Sequence, residues 1–128
     1  MATEDRRASE RVRDRNTVAV TIISAPEAPH LVNRTYFCTT DDISLCGIRL
    51  TSKQPMPGGA NLVVRVAFHD PLCSFQHTGK IVWCVPNEKH HLTGIELHRF
   101  EGADIVEWSA ILQKKLGHQP RYPRRWLS

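Results

Sequence analysis

Arg7 and Arg11 are separated by three residues, as are Arg11 and Arg15, and Arg6 forms a doublet with Arg7. Guanidinium groups are suited to phosphates, to the O6/N7 edge of guanine and to stacking on purine faces. Further along, Asp42-Ile-Ser-Leu-Cys-Gly47 sets a carboxylate and a hydroxyl two residues apart. In an extended stretch such residues project from the same side, and the glycine permits a close approach that a side chain would block. The pair can accept hydrogen bonds from, and donate one to, a single polar ligand edge. Each half also has a plainer use. An arginine-rich terminus often serves as a solvated arm, and Asp and Ser often stabilise a turn through their own backbone. Arg49 lies two residues after Gly47 on an alternating run, so it points outward, either to solvent or beside a ligand bound at Asp42 and Ser44.

Other chemistries find little support. No Ser/His/Asp arrangement, carboxylate pair or glycine-rich phosphate loop suggests catalysis, and the expectation is a protein that is not an enzyme. Cys38, Cys46, Cys73 and Cys84 form no Cys-x-x-Cys pair. They read as buried free thiols, and no metal site is expected because His90 and His91 face no cysteine pair at a ligand spacing. Trp83, Trp108 and Phe100 have the composition of a stacking platform for a base, but aromatics at strand and helix spacing more often fill a core. Trp108 is assigned to the core and Trp83 is left open between the two.

The elements that must position these groups are mostly strands. Thr17–Ser24 is rich in β-branched residues and reads as the first strand. Two prolines in Ala25–His30 break regular structure. Further strands are expected at 34–40, 46–52, 61–69, 75–84 and 91–98, with Asp41, Asp42 and Ser44 in the turn between the second and third. Six strands joined by short turns fit a mainly β fold, a closed antiparallel β-barrel, because closure removes exposed edges. After Gly102 the period changes. Ile105, Trp108, Leu112 and Leu116 recur at spacings of three and four, with Ile111 beside them, which is one face of an α-helix. Asp104 and Glu107 resemble an N-terminal capping pair and Gly117 a terminator. The organisation is a flexible arm over 1–16, a barrel plus C-terminal helix over 17–117, and a basic tail over 118–128.

Charge and length bound the rest. A chain of 128 residues has room for one domain. The net charge of +4 is spread unevenly. Residues 1–15 carry five arginines against four acids, whereas residues 114–128 carry five basic residues and no acid. No apolar run is long enough for a membrane span, and the charged N-terminus lacks the apolar stretch of a signal peptide, so a cytoplasmic protein is expected. Nucleic acid is the less favoured anionic partner, since no row of exposed aromatics runs along the strands.

Taken together, the two motifs resemble those of the PilZ domain family. Arg6-Arg-Ala-Ser-Glu-Arg-Val12 is similar to the Arg-x-x-x-Arg signature that precedes the first strand of PilZ domains, and Asp42-x-Ser-x-x-Gly47 to their (Asp/Asn)-x-Ser-x-x-Gly signature. Gly79-Lys-Ile-Val-Trp83 and Gly94-Ile-Glu-Leu97 resemble the family's later strands, and the likeness runs over about residues 6–116. The resemblance implies a receptor for cyclic di-GMP. Arg7 and Arg11 would be the motif arginines, with Arg6 in support, and Arg11 with Arg15 the alternative register. Asp42 and Ser44 would contact a guanine while Gly47 shapes the turn, with Arg49 as a secondary candidate. It further implies an arm that orders on ligand and changes a surface read by a downstream protein. A PilZ-like interaction module that binds no nucleotide is the alternative.

Overall fold

The computed structural model describes residues 11–69, 72–98 and 103–117, with no account of the side chains of residues 103 and 104. Six strands are present: β1 (Thr17–Ser24), β2 (Thr35–Ile43), β3 (Gly47–Ser52), β4 (Asn61–His69), β5 (Leu72–Asn87) and β6 (His90–Leu97). A 3-10 turn at Pro29–Leu31 separates β1 from β2, and the helix α1 spans Ala103–Gly117. Every neighbouring pair is antiparallel, and the order β1-β2-β3-β6-β5-β4 closes into a barrel.

Period-two alternation builds the interior. Val18, Val20 and Ile22 of β1, Ile48 and Leu50 of β3, and Leu62, Val64, Val66 and Phe68 of β4 are all fully buried. Their β-branched and aliphatic side chains fill the barrel while the intervening residues face outward. β5 is the element that closes the cylinder. Its first half, Leu72–Lys80, pairs with β4, and its second half, Gly79–Asn87, pairs with β6. A Cβ on Gly79, where the halves meet, would lie 2.7 Å from the Glu96 carbonyl oxygen. Glycine is what allows β5 and β6 to approach so closely there.

Three sequence expectations change. The fifth strand is longer than 75–84, running from Leu72 to Asn87. Pro86 falls within it, at a position where β4 no longer pairs with β5, so the absent N–H breaks no ladder on that side. The second strand continues past residue 40 to Ile43, which puts Asp42 on a strand and leaves only Ser44–Cys46 to turn the chain. Of the four cysteines only Cys38 is buried; Cys46 is exposed and Cys73 and Cys84 are half-buried.

The helix plugs one end of the barrel. Trp108, Ile111 and Leu112 are buried, with Leu116 packed against them. The Trp108 ring lies 6.0 Å from Phe68, 5.2 Å from Phe75 and 4.4 Å from His77, the last two edge-on. Its indole N–H donates to the Leu45 carbonyl oxygen at 3.2 Å. Lys115 Nζ donates to Asp14 Oδ2 at 2.6 Å, joining the last turn of the helix to the N-terminal segment. The helix is thus tied both to the β2–β3 turn and to the chain that precedes β1.

The packed part of the chain begins at Arg11, ahead of the Thr17 boundary read from sequence. Val12 is buried and exchanges backbone hydrogen bonds with Ile43. Asn16 N–H donates to Thr40 Oγ1 at 2.9 Å, and Thr40 N–H donates to the Asn16 carbonyl at 2.9 Å. Residues 11–16 therefore run along the outer end of β2. Met1–Glu10, the remainder of the expected arm, and the tail 118–128 lie outside the described residues.

Candidate ligand-binding site on the outer face of the barrel

Two β-bulges set the site. Thr40 pairs with Leu50 but Asp42 pairs with Arg49, so Asp41 is an extra residue in β2. Along β2, Cys38 and Thr40 point inward, and without the bulge Asp42 would follow them into the core. The extra residue instead sends Ile43 inward and puts Asp42 on the outer face. The same event recurs in β5. Ile81 pairs with Ile95 but Trp83 pairs with Gly94, leaving Val82 as the extra residue. Ile81 is buried, and two residues later Trp83 faces outward.

Arg49 is also the partner of Gly94 across β3 and β6. Asp42, Arg49, Gly94 and Trp83 consequently form one row across four strands. Glycine at position 94 makes the row work, because the indole of Trp83 lies over it and a Cβ would sit 2.3 Å from that ring. Trp83 is 38% exposed, with one side against the strand and the other toward an open groove of about 630 Å³. Arg11, Ser44, Gly47, Arg49 and Glu96 line the rest of that groove.

The Val12–Ile43 bridge brings Arg11 over the row. Its Nε donates to Asp42 Oδ1, and its Nη1 donates to Ser44 Oγ at 3.2 Å. Ser44 Oγ in turn donates to the Gly47 carbonyl at 3.2 Å, and Ser44 N–H donates to the same oxygen at 2.8 Å. A Cβ on Gly47 would stand 3.2 Å from the Ile95 carbonyl and 3.8 Å from Arg11 Nη2, so the glycine keeps β3 close to β6 and leaves room for the guanidinium. On the other side, Arg49 Nε donates to Asp42 Oδ2 at 2.8 Å and its Nη2 donates to the same oxygen.

Asp42 is therefore a carboxylate held between two guanidinium groups, its side chain only 7% exposed. Burial alone would raise its pKa, but the hydrogen bonds and charges of Arg49 and Arg11 outweigh burial and hold it below the ordinary carboxylate value. Asp41 accepts from Thr51 Oγ1 at 2.7 Å and lies beside this cluster. The groove offers arginines for phosphate, an ionised carboxylate and a hydroxyl for the N–H edge of a base, and an indole face for stacking.

Among the residues singled out from sequence, Arg11, Asp42, Ser44, Gly47 and Arg49 come together here. Arg15 is exposed on the same segment but it is Arg11 that reaches Asp42 and Ser44. Arg6 and Arg7 lie outside the described residues, as does Phe100. Trp83, left open from sequence, belongs to the groove, whereas Trp108 is core. The signal for Trp83 is present in the sequence only as a pairing with Gly94, which depends on a bulge.

The sequence matches the PilZ domain family over residues 5–113. No curated protein matches it significantly. Among solved structures, the fold is similar to the PilZ domain of Escherichia coli YcgR with c-di-GMP, at 12% identity and a TM-score of 0.62, covering 84% of this chain and 89% of that one. It is similar to the Bacillus subtilis inhibitor of motility MotI/DgrA at 11% identity and a TM-score of 0.62, covering 85% of this chain and 50% of that one. It is also similar to Borreliella burgdorferi PlzA in complex with c-di-GMP, at 13% identity and a TM-score of 0.53, covering 95% and 57%. The chain thus spans about half the length of the Bacillus and Borreliella proteins.

Proposed function

The chain belongs to the PilZ domain family, and on that premise we propose that it is a cytoplasmic receptor domain for cyclic di-GMP in bacterial second-messenger signalling. One observation carries the reading: Arg11, remote in sequence, is delivered onto Asp42 and Ser44 beside an open groove. That arrangement supports a site in which Arg11 serves a phosphate, Asp42 and Ser44 a base edge, and Trp83 a base face. The c-di-GMP named with two of the similar structures supports the choice of ligand.

In this reading Arg7 and Arg11 grip phosphate or guanine edges, with Arg6 in support. Asp42 and Ser44 accept and donate at the guanine edge, Gly47 keeps the turn close, and Trp83 stacks on a base. Residues N-terminal to Arg11 fold over the messenger, and the changed surface is read by a downstream protein. No catalysis, metal or further cofactor is required.

Calorimetric titration of cyclic di-GMP, GTP and a short oligonucleotide into the full chain tests the proposal. Cyclic di-GMP is expected to bind, and Arg7→Ala and Arg11→Ala each to weaken it about ten- to a hundredfold, as befits lost charge-assisted hydrogen bonds. Binding that survives both substitutions overturns the arginine assignment. Absent binding by the wild type moves the chain to the nucleotide-free interaction module.

A further inference from the structure

Asp42 has two carboxylate oxygens and gives one to each arginine, Oδ1 to Arg11 and Oδ2 to Arg49. The two arginines are mounted differently. Arg49 stands in the middle of β3, paired across to Asp42 on one side and Gly94 on the other. Arg11 belongs to a segment outside the six strands, attached to β2 by the Val12–Ile43 bridge and by the bonds of Asp14 and Asn16 with Thr40. Arg11 spends Nε on Asp42 and Nη1 on Ser44, so an Arg11 that turns its Nε edge to a phosphodiester gives up its bond to Asp42, and a nearly buried carboxylate left without a cation is costly. Arg49 removes that difficulty.

We infer that Arg49 is a positioning residue: it holds Asp42 oriented and charge-balanced from the barrel side, so that Arg11 can pass from Asp42 to the phosphodiester of a bound ligand. This rests on the cyclic di-GMP reading for its second half only. The contact between Arg11 and Asp42 is then the resting state of the site, and the contact between Arg49 and Asp42 persists in both states. The groups that face Asp42 are consistent with this division. Arg11 comes from the N-terminal segment, Arg49 from β3 and Asp41 from its own strand, where it accepts from Thr51. Glu96 of β6 lies on the same face opposite Gly47, with Lys80 of β5 beyond it. Of these, Arg11 and Arg49 bond the carboxylate.

The test combines a ligand-free and a ligand-bound measurement on the full chain. Carboxyl carbon NMR follows the titration of Asp42 in wild type, Arg49→Gln, Arg49→Lys and Arg11→Gln without ligand. Asp42 is expected to titrate at higher pH in Arg49→Gln than in wild type, and Arg49→Lys to recover most of the difference. Cyclic di-GMP is then added while the Nε–H signals of both arginines are recorded. The Arg11 signal should move and the Arg49 signal should keep its position. Affinity should fall about tenfold at neutral pH in Arg49→Gln, with the deficit growing as pH is lowered, and recover in Arg49→Lys. An Asp42 titration unchanged by Arg49→Gln overturns the inference whether or not ligand binds. An Arg49 signal that moves as far as that of Arg11 makes Arg49 a direct ligand contact and also overturns it. If Asp42 responds as expected but wild type does not bind cyclic di-GMP, the pairing of Arg49 with Asp42 is supported and the ligand reading falls.

Discussion

Asp42 and Trp83 stand at the two ends of one cross-strand row, and each faces outward because one extra residue, Asp41 or Val82, precedes it. A barrel interior is satisfied by alternation alone, and a carboxylate or an indole at an inward position would disturb it. The bulges keep both groups out of the interior and turn them toward the same groove.

In the proposed site, loss of Trp83 is expected to be felt in ligand binding more than in folding. Its ring is partly exposed and seated on Gly94, so Trp83→Ala should cost about 1 kcal/mol of stability or less. Loss of a stacked base is worth about 1–3 kcal/mol, and cyclic di-GMP affinity should fall about ten- to a hundredfold. Thermal unfolding and calorimetry on the same variant separate the two. Wild-type affinity in Trp83→Ala removes the indole from the site.

Gly94→Ala reaches the same group from beneath. The added methyl would overlap the indole, so Trp83 must lift from the strand. The Trp83 indole N–H signal should shift in the ligand-free protein, and affinity should fall toward that of Trp83→Ala. The double variant should be no weaker than Trp83→Ala alone, because both changes remove one stacking surface.

The paired arginines should also make the fold sensitive to acid. Asp42 has a lowered pKa in the folded protein, against about 3.9 for an unperturbed aspartate. The unfolded chain therefore takes up this proton first. The contribution of the cluster is fully present above about pH 4 and is lost as pH falls from there through the folded-state value. Asp42→Asn should flatten the dependence of unfolding free energy on pH between about 5 and 3. A denaturant series across that range that is equally steep in both proteins would refute the pairing as a source of acid sensitivity.

Trp108 separates packing from the hydrogen bond that ties the helix to the site. Trp108→Ala should destabilise by about 3–5 kcal/mol, since it empties the space between Phe68, Phe75 and His77. Trp108→Phe retains part of that packing but loses the donor to the Leu45 carbonyl, and should be the milder change. Because Leu45 lies in the turn between Ser44 and Gly47, Trp108→Phe should also shift the amide signals of that turn. Unmoved turn signals would show that helix and turn are not coupled by this bond.

The parts of the fold that were legible from sequence are those governed by one chain segment at a time. β1, β3 and β4 are half-buried antiparallel strands, so their alternation is written in Val18, Val20 and Ile22 or in Leu62, Val64 and Val66. The stripe from Trp108 to Leu116 likewise follows from helical spacing. The bulges at Asp41 and Val82 were not legible, because they exist only as a mismatch of count between two strands. The length of β5 was hidden for a related reason: Leu72, Gln76 and Lys80 are exposed there, and Pro86 reads as a stop unless the loss of the β4 partner is known. At the site, the motif residues Asp42, Ser44 and Gly47 could be picked out by type and spacing. The sharing of Asp42 by Arg11 and Arg49 could not, since Arg11 reaches it through Val12, an apolar residue that looks like part of a charged arm.

Cysteine reactivity provides a map of the groove that needs no substitution. Burial pushes the Cys38 thiol up to about 12, so almost no thiolate forms at pH 8 and alkylation there should be slow in the native protein. Cys46 is exposed in the turn between Ser44 and Gly47 and lines the groove, so it should be the first of the four to react. Timed alkylation read by peptide mass spectrometry gives the order directly. Saturating cyclic di-GMP should slow modification of Cys46 several-fold while leaving Cys73 and Cys84 unchanged, because neither lines this groove. Equal protection at all three would indicate general tightening of the barrel, and no protection at Cys46 in a saturated complex would place the ligand elsewhere.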